Sequence, residues 1–458
     1  MKEGRYWAIA PHPEFAKTAN MKKLFVKLVC LVALQVLFWS NWVPSALALT
    51  SDQLLLNEAW KIVNQAYVDG TFNHQNWWQL REKTLKQPLK DRAATYEAIR
   101  QMLGTLNDPY TRLLQPAQYR SLRTSTSGEL TGVGLQISVN TDTGYLEVIA
   151  PIEGSPAAIA HLQPRDQILQ IDGVLTTDIT LDEAAEKMRG KAGTVVVLEV
   201  QHPGKPEAIE TVALKRDRIE INPVRSEVRK APDGSLLGYI RLAQFNANAT
   251  KDLKEAIQSL EAKKVKGYIL DLRNNPGGLL QAGVEIADLW MDPQPIVYTV
   301  DRHGLLGSFE ATTPALTRAP LVVLVNRGTA SASEILAGAL QDTGRATLVG
   351  ERTFGKGAIQ SLFDLSDGSG LAVTIATYET PNHRNINKVG IAPDREVVLD
   401  PVAPKVAESE GAGNPLLRSA VNPSLDDAVS SPLGDRQYQA AVEQLTQTQV
   451  AASGGTSL

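Results

Sequence analysis

Apolar residues recur along this chain with three different spacings, and each spacing predicts a different kind of unit. Between residues 52 and 122 they fall at helical spacing, which predicts a segment of amphipathic helices. Between residues 129 and 215 they form short or alternating runs separated by turn residues, which is typical of a small β-rich unit. Between residues 236 and 400 apolar runs alternate with amphipathic ones, so we expect strands and helices in turn and a parallel sheet.

One corner of this third unit combines a buried strand with a candidate nucleophile. The continuous apolar run Leu321–Val325 predicts a strand buried on both faces, and a helix-like run begins at Glu334. Ser331 lies between them, where a hydroxyl would face a cleft and the positive end of the helix dipole. Taken alone, this stretch more simply predicts an N-cap serine, with Glu334 completing a capping box.

The N-terminal residues predict an export signal. A basic stretch at 21–23, an apolar run at 28–39 and an Ala-x-Ala-like site at 46–48 match a signal peptide. The run is shorter than the roughly 20 apolar residues of a spanning helix, so cleavage is favoured over an uncleaved anchor. Residues 1–20 read as an upstream extension. Cys30 lies inside the apolar run, so the mature protein is expected to hold no disulfide, Cys nucleophile or Cys-ligated metal.

Composition and charge indicate a globular protein of more than one domain and argue against a nucleic-acid-binding protein. The chain has 458 residues, 43% of them hydrophobic and 21% charged, which leaves room for two or three globular domains. The net charge of −4, without a basic block in the body of the chain, argues against nucleic-acid binding. From about Val402 the chain is rich in Ala, Ser, Pro and Gly, which predicts a flexible tail with one short helix at 437–445.

A serine nucleophile needs a base, and here the sequence favours lysine. None of the six histidines lies beside a nucleophile motif, and neither Gly-x-Ser-x-Gly nor Ser-x-x-Lys occurs. Lys356 stands between two glycines next to Phe354, whose apolar side chain would help to desolvate the amine. Burial can lower a lysine pKa from about 10.4 by several units, which turns the amine into a base. Without other information, Lys356 would instead be a surface loop lysine.

An acyl-transfer site also needs donors for the oxyanion. The turn at 276–278 follows a second buried apolar run and opens a helix, as the Ser331 corner does. Neighbouring parallel strands would bring both corners to the same sheet edge, where α/β proteins form their sites. The N–H groups of Gly277 and Ala332 are therefore candidate oxyanion-hole donors, although a plain turn glycine at 277 fits equally well.

The β-rich unit resembles a PDZ domain in its stretches 132–135, 154–157 and 162–173. The resemblance implies that the unit captures an extended C-terminus as an added strand and holds its carboxylate with loop N–H groups. Arg165 stands where such domains usually have glycine, a change that would affect the turn but not the peptide groove. The expected peptide-binding residues are Gly132, Val133, Gly134 and Leu135.

The stretch 326–334 resembles the nucleophile motif of the C-terminal processing peptidases, also called tail-specific proteases. Their base is a lysine in a Gly-Lys-Gly loop, matched by Lys356 at the family spacing of 25 residues from Ser331. A glutamine four residues further orients that lysine, matched by Gln360. The stretch 271–278 resembles the oxyanion-hole segment of the family, and 107–111 resembles another of its signatures.

This resemblance implies a fold, a PDZ domain that gates access to the active site, and a reaction. The fold would be a ClpP/crotonase-like α/β catalytic core with an inserted PDZ domain and an N-terminal helical segment. Arg189 resembles a PDZ arginine that couples peptide binding to the catalytic loop. The reaction needs no metal and no cofactor. The expected organisation is an extension at 1–20, a signal peptide at 21–48, helices at 49–128, the PDZ domain at 129–215, the core at 216–400 and a tail at 401–458.

Within the family, the stretches 57–60, 66–69, 76–78 and 378–383 resemble the photosynthetic branch. The members of that branch remove the C-terminal extension of the photosystem II reaction-centre protein precursor, which permits assembly of the manganese cluster. The expected partners are therefore the C-terminal tails of protein substrates, and a substrate can itself be membrane-associated. The expected location is the thylakoid lumen or the periplasm. Two alternatives stay open: a general exported tail-specific protease, and a non-catalytic PDZ peptide-binding scaffold.

Overall fold

The computed structural model describes residues 49–140, 142–152, 154–203, 208–398 and 435–454. The predicted extension, the predicted signal peptide and most of the predicted tail lie outside these ranges. The described α-helices are α1 (Ser51–Ala66), α2 (Trp77–Leu85), α3 (Arg92–Gly104), α4 (Pro116–Ser127), α5 (Pro156–Ile159), α6 (Leu181–Met188), α7 (Ala249–Ala262), α8 (Leu280–Trp290), α9 (Ala332–Asp342) and α10 (Arg436–Gly454). Within the described ranges, no helix has the length and apolar content that crossing a membrane requires.

Within the described ranges the strands form four sheets: that of the predicted PDZ unit, a two-stranded sheet, and two larger sheets. Those of the first part of the chain are β1 (Arg112–Leu114), β2 (Glu129–Gly132), β3 (Leu135–Val139), β4 (Leu146–Pro151), β5 (Gln167–Ile171), β6 (Val174–Leu175), β7 (Val195–Gln201), β8 (Ile209–Lys215) and β9 (Asp217–Glu220). Those of the second part are β10 (Val224–Lys230), β11 (Leu236–Leu242), β12 (Tyr268–Asp271), β13 (Pro295–Asp301), β14 (Gly304–Glu310), β15 (Leu321–Val325), β16 (Thr347–Gly350), β17 (Ala358–Asp364), β18 (Gly370–Glu379) and β19 (Arg395–Glu396).

The PDZ unit is a sheet in the order β3-β4-β5-β7-β8, with β6 paired to β5. Strand β3 lies at an edge of this sheet, so its outer backbone groups are available to pair with an added strand. The apolar sides of the strands pack on α5 and α6 around buried residues such as Ile168, Val196 and Leu198. The antiparallel pair β2 and β9 joins the two ends of the unit.

The α/β core is a sheet in the order β10-β11-β12-β15-β16-β19, parallel except where β10 meets β11. The prediction for β15 is confirmed, since all five of its residues are buried. Val323 and Val325 pack towards α7, α8 and α9, whereas Val322 and Leu324 face α10. Helices therefore cover both faces, which explains why this strand is apolar throughout.

A second sheet follows the loop that holds Lys356 and joins the N-terminal segment to the core. Its order is β1-β18-β13-β14, with β17 also paired to β18. Leu371 and Val373 of β18 pack into the apolar cluster formed by α1, α2 and α3. Neither β1 nor the hairpin of β13 and β14 was predicted from the sequence.

The predicted flexible tail needs correction at its C-terminal end. Helix α10 is longer than the predicted 437–445, and its residues Tyr438, Ala441 and Leu445 are buried against the core sheet. Arg273 fixes the start of the helix by an ion pair of 2.8 Å with Asp435. The last part of the chain that the structure describes is therefore a packed layer of the core, because its apolar face covers strands that would otherwise be exposed.

Candidate active site

Ser331 lies at the corner between β15 and α9 in a strained backbone conformation. Its φ is +58° and its ψ is −118°, a region that residues other than glycine rarely adopt. Such outliers persist only where the surrounding structure enforces them, and they are concentrated at functional sites. The predicted capping relation with Glu334 is present in one direction, since the N–H of Ser331 donates to Glu334 Oε2 at 3.0 Å.

Glu334 does more than cap a helix, because its buried carboxylate joins the serine corner to the lysine loop. The carboxylate accepts the N–H of Gly355 at 2.7 Å, the N–H of Lys356 at 2.9 Å and the hydroxyl of Thr353 at 2.5 Å. Burial raises the pKa of Glu334 above its ordinary value, and these donors oppose the rise. One carboxylate thus fixes the backbones of Ser331 and Lys356 relative to each other.

Tyr378 makes a second link between the same two residues. Its Oη lies 3.1 Å from the carbonyl oxygen of Ser331 and 3.0 Å from that of Lys356. A phenol has a single proton, so it donates to one carbonyl at a time. Burial and the negative charge of Glu334 hold the pKa of Tyr378 well above its usual value, which keeps the hydroxyl protonated.

Lys356 is buried, with only 8% of its surface exposed. Burial, followed by the positive charge of Arg112, lowers the pKa of Lys356 to about 8, against the opposing effects of Asp108 and Glu334. Its Nζ donates to Gln360 Oε1 at 2.9 Å and lies 5.1 Å from the centre of the Tyr110 ring. The structure thus brings Gln360 to the lysine, as the resemblance implied.

Several parts of the chain surround the amine of Lys356. Phe354 is 46% exposed, and its shielding of the amine stays a prediction. The shielding comes in part from the N-terminal segment, where the backbone carbonyl of Tyr110 accepts the Nε2–H of Gln360. The signature at 107–111 therefore forms a wall of the lysine site.

Gly277 lies directly beside the serine corner. A Cβ placed on Gly277 would come within 2.8 Å of both Ser331 Cβ and Ala332 N, and its φ is +91°. Only glycine fits there without displacing the corner. The N–H of Gly277 donates to Asn275 Oδ1 at 2.9 Å, so in this structure the predicted oxyanion donor is occupied. Ala332 begins α9, where a backbone N–H has no partner within its own helix.

The predicted PDZ loop leads into the edge strand β3. Gly134 has a φ of +76°, and a Cβ there would clash with Ser155 at 2.3 Å. Arg165 also has a positive φ, of +71°. The turn therefore keeps the backbone conformation that usually requires glycine, although arginine occupies it, and this costs backbone strain.

Arg189 directly follows the last residue of α6. It pairs with Glu186 at 2.9 Å, and Glu186 also pairs with Arg120 of α4 at 3.3 Å. These three residues line a cleft of about 400 Å³ between α4, β2 and the end of α6. The coupling role of Arg189 remains a prediction.

Two residues that carry this geometry were missed as site residues. Glu334 was considered only as a cap, and Tyr378 only as part of a resembling stretch. A signal existed for Glu334, because a carboxylate beside a candidate nucleophile has charge as well as capping geometry. Within the described ranges, no group of His, Cys, Asp and Glu has the arrangement of a metal site.

Comparison with known proteins agrees with this geometry. A model of peptidase family S41 matches residues 236–397, and a PDZ-domain model matches residues 147–202. The carboxyl-terminal-processing protease of Picosynechococcus sp. is 53% identical over 431 residues, covering 94% of this chain and 98% of the relative. The chloroplastic carboxyl-terminal-processing peptidase 3 of Arabidopsis thaliana is 43% identical over 391 residues, covering 82% of this chain and 75% of that one.

A solved structure, described as a photosystem II D1 C-terminal processing protease, is similar in both sequence and fold. It is 44% identical with a TM-score of 0.51, covering 76% of this chain and 94% of that one. Both the core with its inserted PDZ domain and the motif resemblance are thus confirmed at the level of the family. The chain belongs to the carboxyl-terminal-processing proteases of peptidase family S41, and it is a serine peptidase.

Proposed function

We propose that Ser331 and Lys356 form a catalytic dyad that cleaves exported proteins near their C-termini. The observation that carries this proposal is the double link between the two residues through Glu334 and Tyr378. A buried lysine with a pKa of about 8 is neutral in about a tenth of the molecules at pH 7 and in about half of them at pH 8, and this neutral form is the general base. Gln360 accepts one hydrogen of the amine and so orients it.

The reaction proceeds through an acyl-enzyme. Neutral Lys356 takes the proton of the Ser331 hydroxyl, and the oxygen attacks the carbonyl carbon of the scissile bond. The charged lysine then protonates the leaving amine, which breaks the C–N bond and releases the C-terminal fragment. Water, deprotonated by the neutral lysine, hydrolyses the ester and restores Ser331.

The oxyanion would be held by the N–H groups of Gly277 and Ala332. Because Asn275 Oδ1 already accepts the first of these, the oxyanion must share that donor or displace the amide. Asn275 is otherwise held in place, since its Nδ2 donates to the carbonyl of Leu242 at 2.8 Å. A small rotation of the amide on substrate binding therefore belongs to this mechanism.

The substrate we propose is the C-terminal extension of the photosystem II reaction-centre protein precursor. Support comes from the relatives, among them a structure described as a photosystem II D1 C-terminal processing protease and a chloroplastic peptidase. The tail would pair with the edge strand β3 beside Gly132, Val133, Gly134 and Leu135, and Arg189 would transmit its binding. A signal peptide at 21–48 would deliver the enzyme to the lumen or the periplasm, where that tail lies.

A deletion strain tests this substrate. We expect the strain to accumulate the extended precursor and lose oxygen evolution, and the wild-type gene to restore both. A Ser331→Ala gene, expressed to the same level, should restore neither. Normal processing in the deletion strain, together with other uncleaved exported proteins, would instead favour a general tail-specific protease. Rescue by the Ser331→Ala gene would favour a binding scaffold.

A further inference from the structure

Three residues of the second sheet share one face beside the catalytic lysine. Arg112 of β1 lies opposite Ala372 of β18. Thr374, two residues further along β18, lies opposite Gln360 of β17. Opposite residues of antiparallel strands point to the same face, as do residues two apart on one strand. Arg112 and Thr374 therefore lie on the face on which Gln360 holds the amine of Lys356.

Two buried polar atoms on this face lack a partner within the described residues. They are Nη1 of Arg112 and Oγ1 of Thr374. Thr374 is only 4% exposed, and its backbone N–H already has an acceptor in the hydroxyl of Thr111. Buried donors are almost always satisfied in folded proteins, because each unmet one costs free energy. Two of them on the face that holds Gln360 and Lys356 indicate a group that arrives from outside the chain.

The charge around Arg112 indicates what that group is. Burial lowers the pKa of Arg112, and Asp108 alone opposes the effect. Glu334, a carboxylate that acts on Lys356, is already engaged by four donors of the serine and lysine loops. A guanidinium with few counter-charges, close enough to influence Lys356, favours an anion of planar geometry.

We propose that Arg112, with the hydroxyl of Thr374 beside it, binds a carboxylate of the substrate close to the scissile bond. The inference rests on the proposed protease function. It adds a second site that recognises a substrate carboxylate, distinct from the PDZ groove. The carboxylate has two chemical sources. It is either an Asp or Glu side chain within a few residues of the cleaved bond, or the free terminus of a short tail.

Matched peptides separate the two sources. One parent peptide that the wild-type enzyme cleaves carries Asp near the bond and a free C-terminus. Its variants replace that Asp with Asn, amidate the terminus, or do both. All are measured at pH 9.5, where most of Lys356 is neutral, so that loss of the Arg112 charge has little effect through the base. For the source that Arg112 binds, we expect an acid-to-amide ratio of kcat/KM of about ten in the wild type.

The ratio should fall to about one in Arg112→Gln and to an intermediate value in Arg112→Lys, which keeps the charge but not the fork. Arg100→Gln is the matched control, because Arg100 is an exposed arginine of the same N-terminal segment and should leave the ratio near ten. If Arg112→Gln does not fold, the isosteric Thr374→Val tests the same site, with an expected ratio of about three. Folding is checked by circular dichroism.

A wild-type ratio near one for both sources would overturn the inference, as would a ratio that Arg112→Gln and Thr374→Val leave unchanged. The proposed function fails in a different way. In that case Ser331→Ala would cleave the doubly neutral peptide as fast as the wild type, whatever the acid-to-amide ratio.

Discussion

The carboxylate of Glu334 accepts the backbone N–H of Lys356 at 2.9 Å, although the two residues lie 22 positions apart in the chain. The same oxygen, Oε2, accepts the N–H of Ser331 at 3.0 Å. A glutamine at this position would turn an NH2 group towards backbone donors. We therefore expect Glu334→Gln to lose roughly 100-fold in kcat, because the base and nucleophile shift apart. The unfolding free energy should also fall by about 1–3 kcal/mol.

The measurement is the kcat for a tail peptide together with urea unfolding. Glu285→Gln, which changes an exposed carboxylate of α8, is the control and should keep the wild-type kcat. Wild-type kcat in Glu334→Gln would show that this link does not position the dyad.

Tyr378→Phe removes the second link while keeping the ring. We expect kcat to fall about tenfold with KM little changed, since the lost hydroxyl contacts the carbonyls of Ser331 and Lys356 rather than the substrate. Tyr268→Phe is the matched control, because its buried hydroxyl bonds to Glu261, away from the dyad. A steady-state comparison that finds the same small loss of kcat in both variants would contradict the positioning role.

The rate of the enzyme should follow the deprotonation of Lys356. Because the neutral amine is the base, kcat/KM is expected to rise about tenfold per pH unit below about 8 and to level off above it. Burial lowers this pKa most, the positive charge of Arg112 lowers it further, and Asp108 and Glu334 raise it. In Gln360→Glu a carboxylate would replace the oxygen that lies 2.9 Å from Nζ, so the rise should move to higher pH.

The contribution of Lys356 to folding stability is expected to rise with pH, as kcat/KM does. The folded pKa of Lys356 is below the unfolded value, so the unfolded chain binds more protons between about pH 8 and 10.5. The contribution of this lysine to stability therefore increases as the pH rises through that window. A flat profile of kcat/KM between pH 6 and 9 would contradict the assignment of the base.

Gly277 tests the packing of the oxyanion segment against the serine corner. In Gly277→Ala the added Cβ would lie 2.6 Å from the carbonyl oxygen of Ala330, so the corner must move. We expect kcat to fall by at least about 100-fold. Gly344→Ala also has a positive φ but meets no atom within 4 Å, so it should cost about 1 kcal/mol of stability and keep the wild-type kcat. Equal kcat in the two variants would remove Gly277 from the site.

The local sequence pattern predicted those elements whose burial shows as a continuous or periodic run of apolar residues. Strand β15 was predicted with its observed bounds, because an apolar run covered by helices on both faces carries that information within five residues. The strand β1 was not predicted. Its three residues become a strand by pairing with Gly370, Leu371 and Ala372, more than 250 positions away, and no local period encodes such a pairing.

The candidate site divides in the same way. Ser331, Lys356 and Gln360 could be named from motifs, whose order and spacing lie in the sequence. The roles of Glu334 and Tyr378 could not, because they depend on which backbone atoms the fold brings within 3.1 Å of one carboxylate and one hydroxyl. The packing of α10 depends likewise on the pair between Arg273 and Asp435, which lie 162 positions apart.

The most direct test of the central claim is the hydrolysis of a free-tailed peptide by the wild type, Ser331→Ala and Lys356→Ala, followed by mass spectrometry. Lys254→Ala, at an exposed position of α7, serves as the control. We predict cleavage near the C-terminus by the wild type and the control, and a loss of about ten-thousand-fold in both dyad variants. Wild-type rates in either dyad variant would contradict the account.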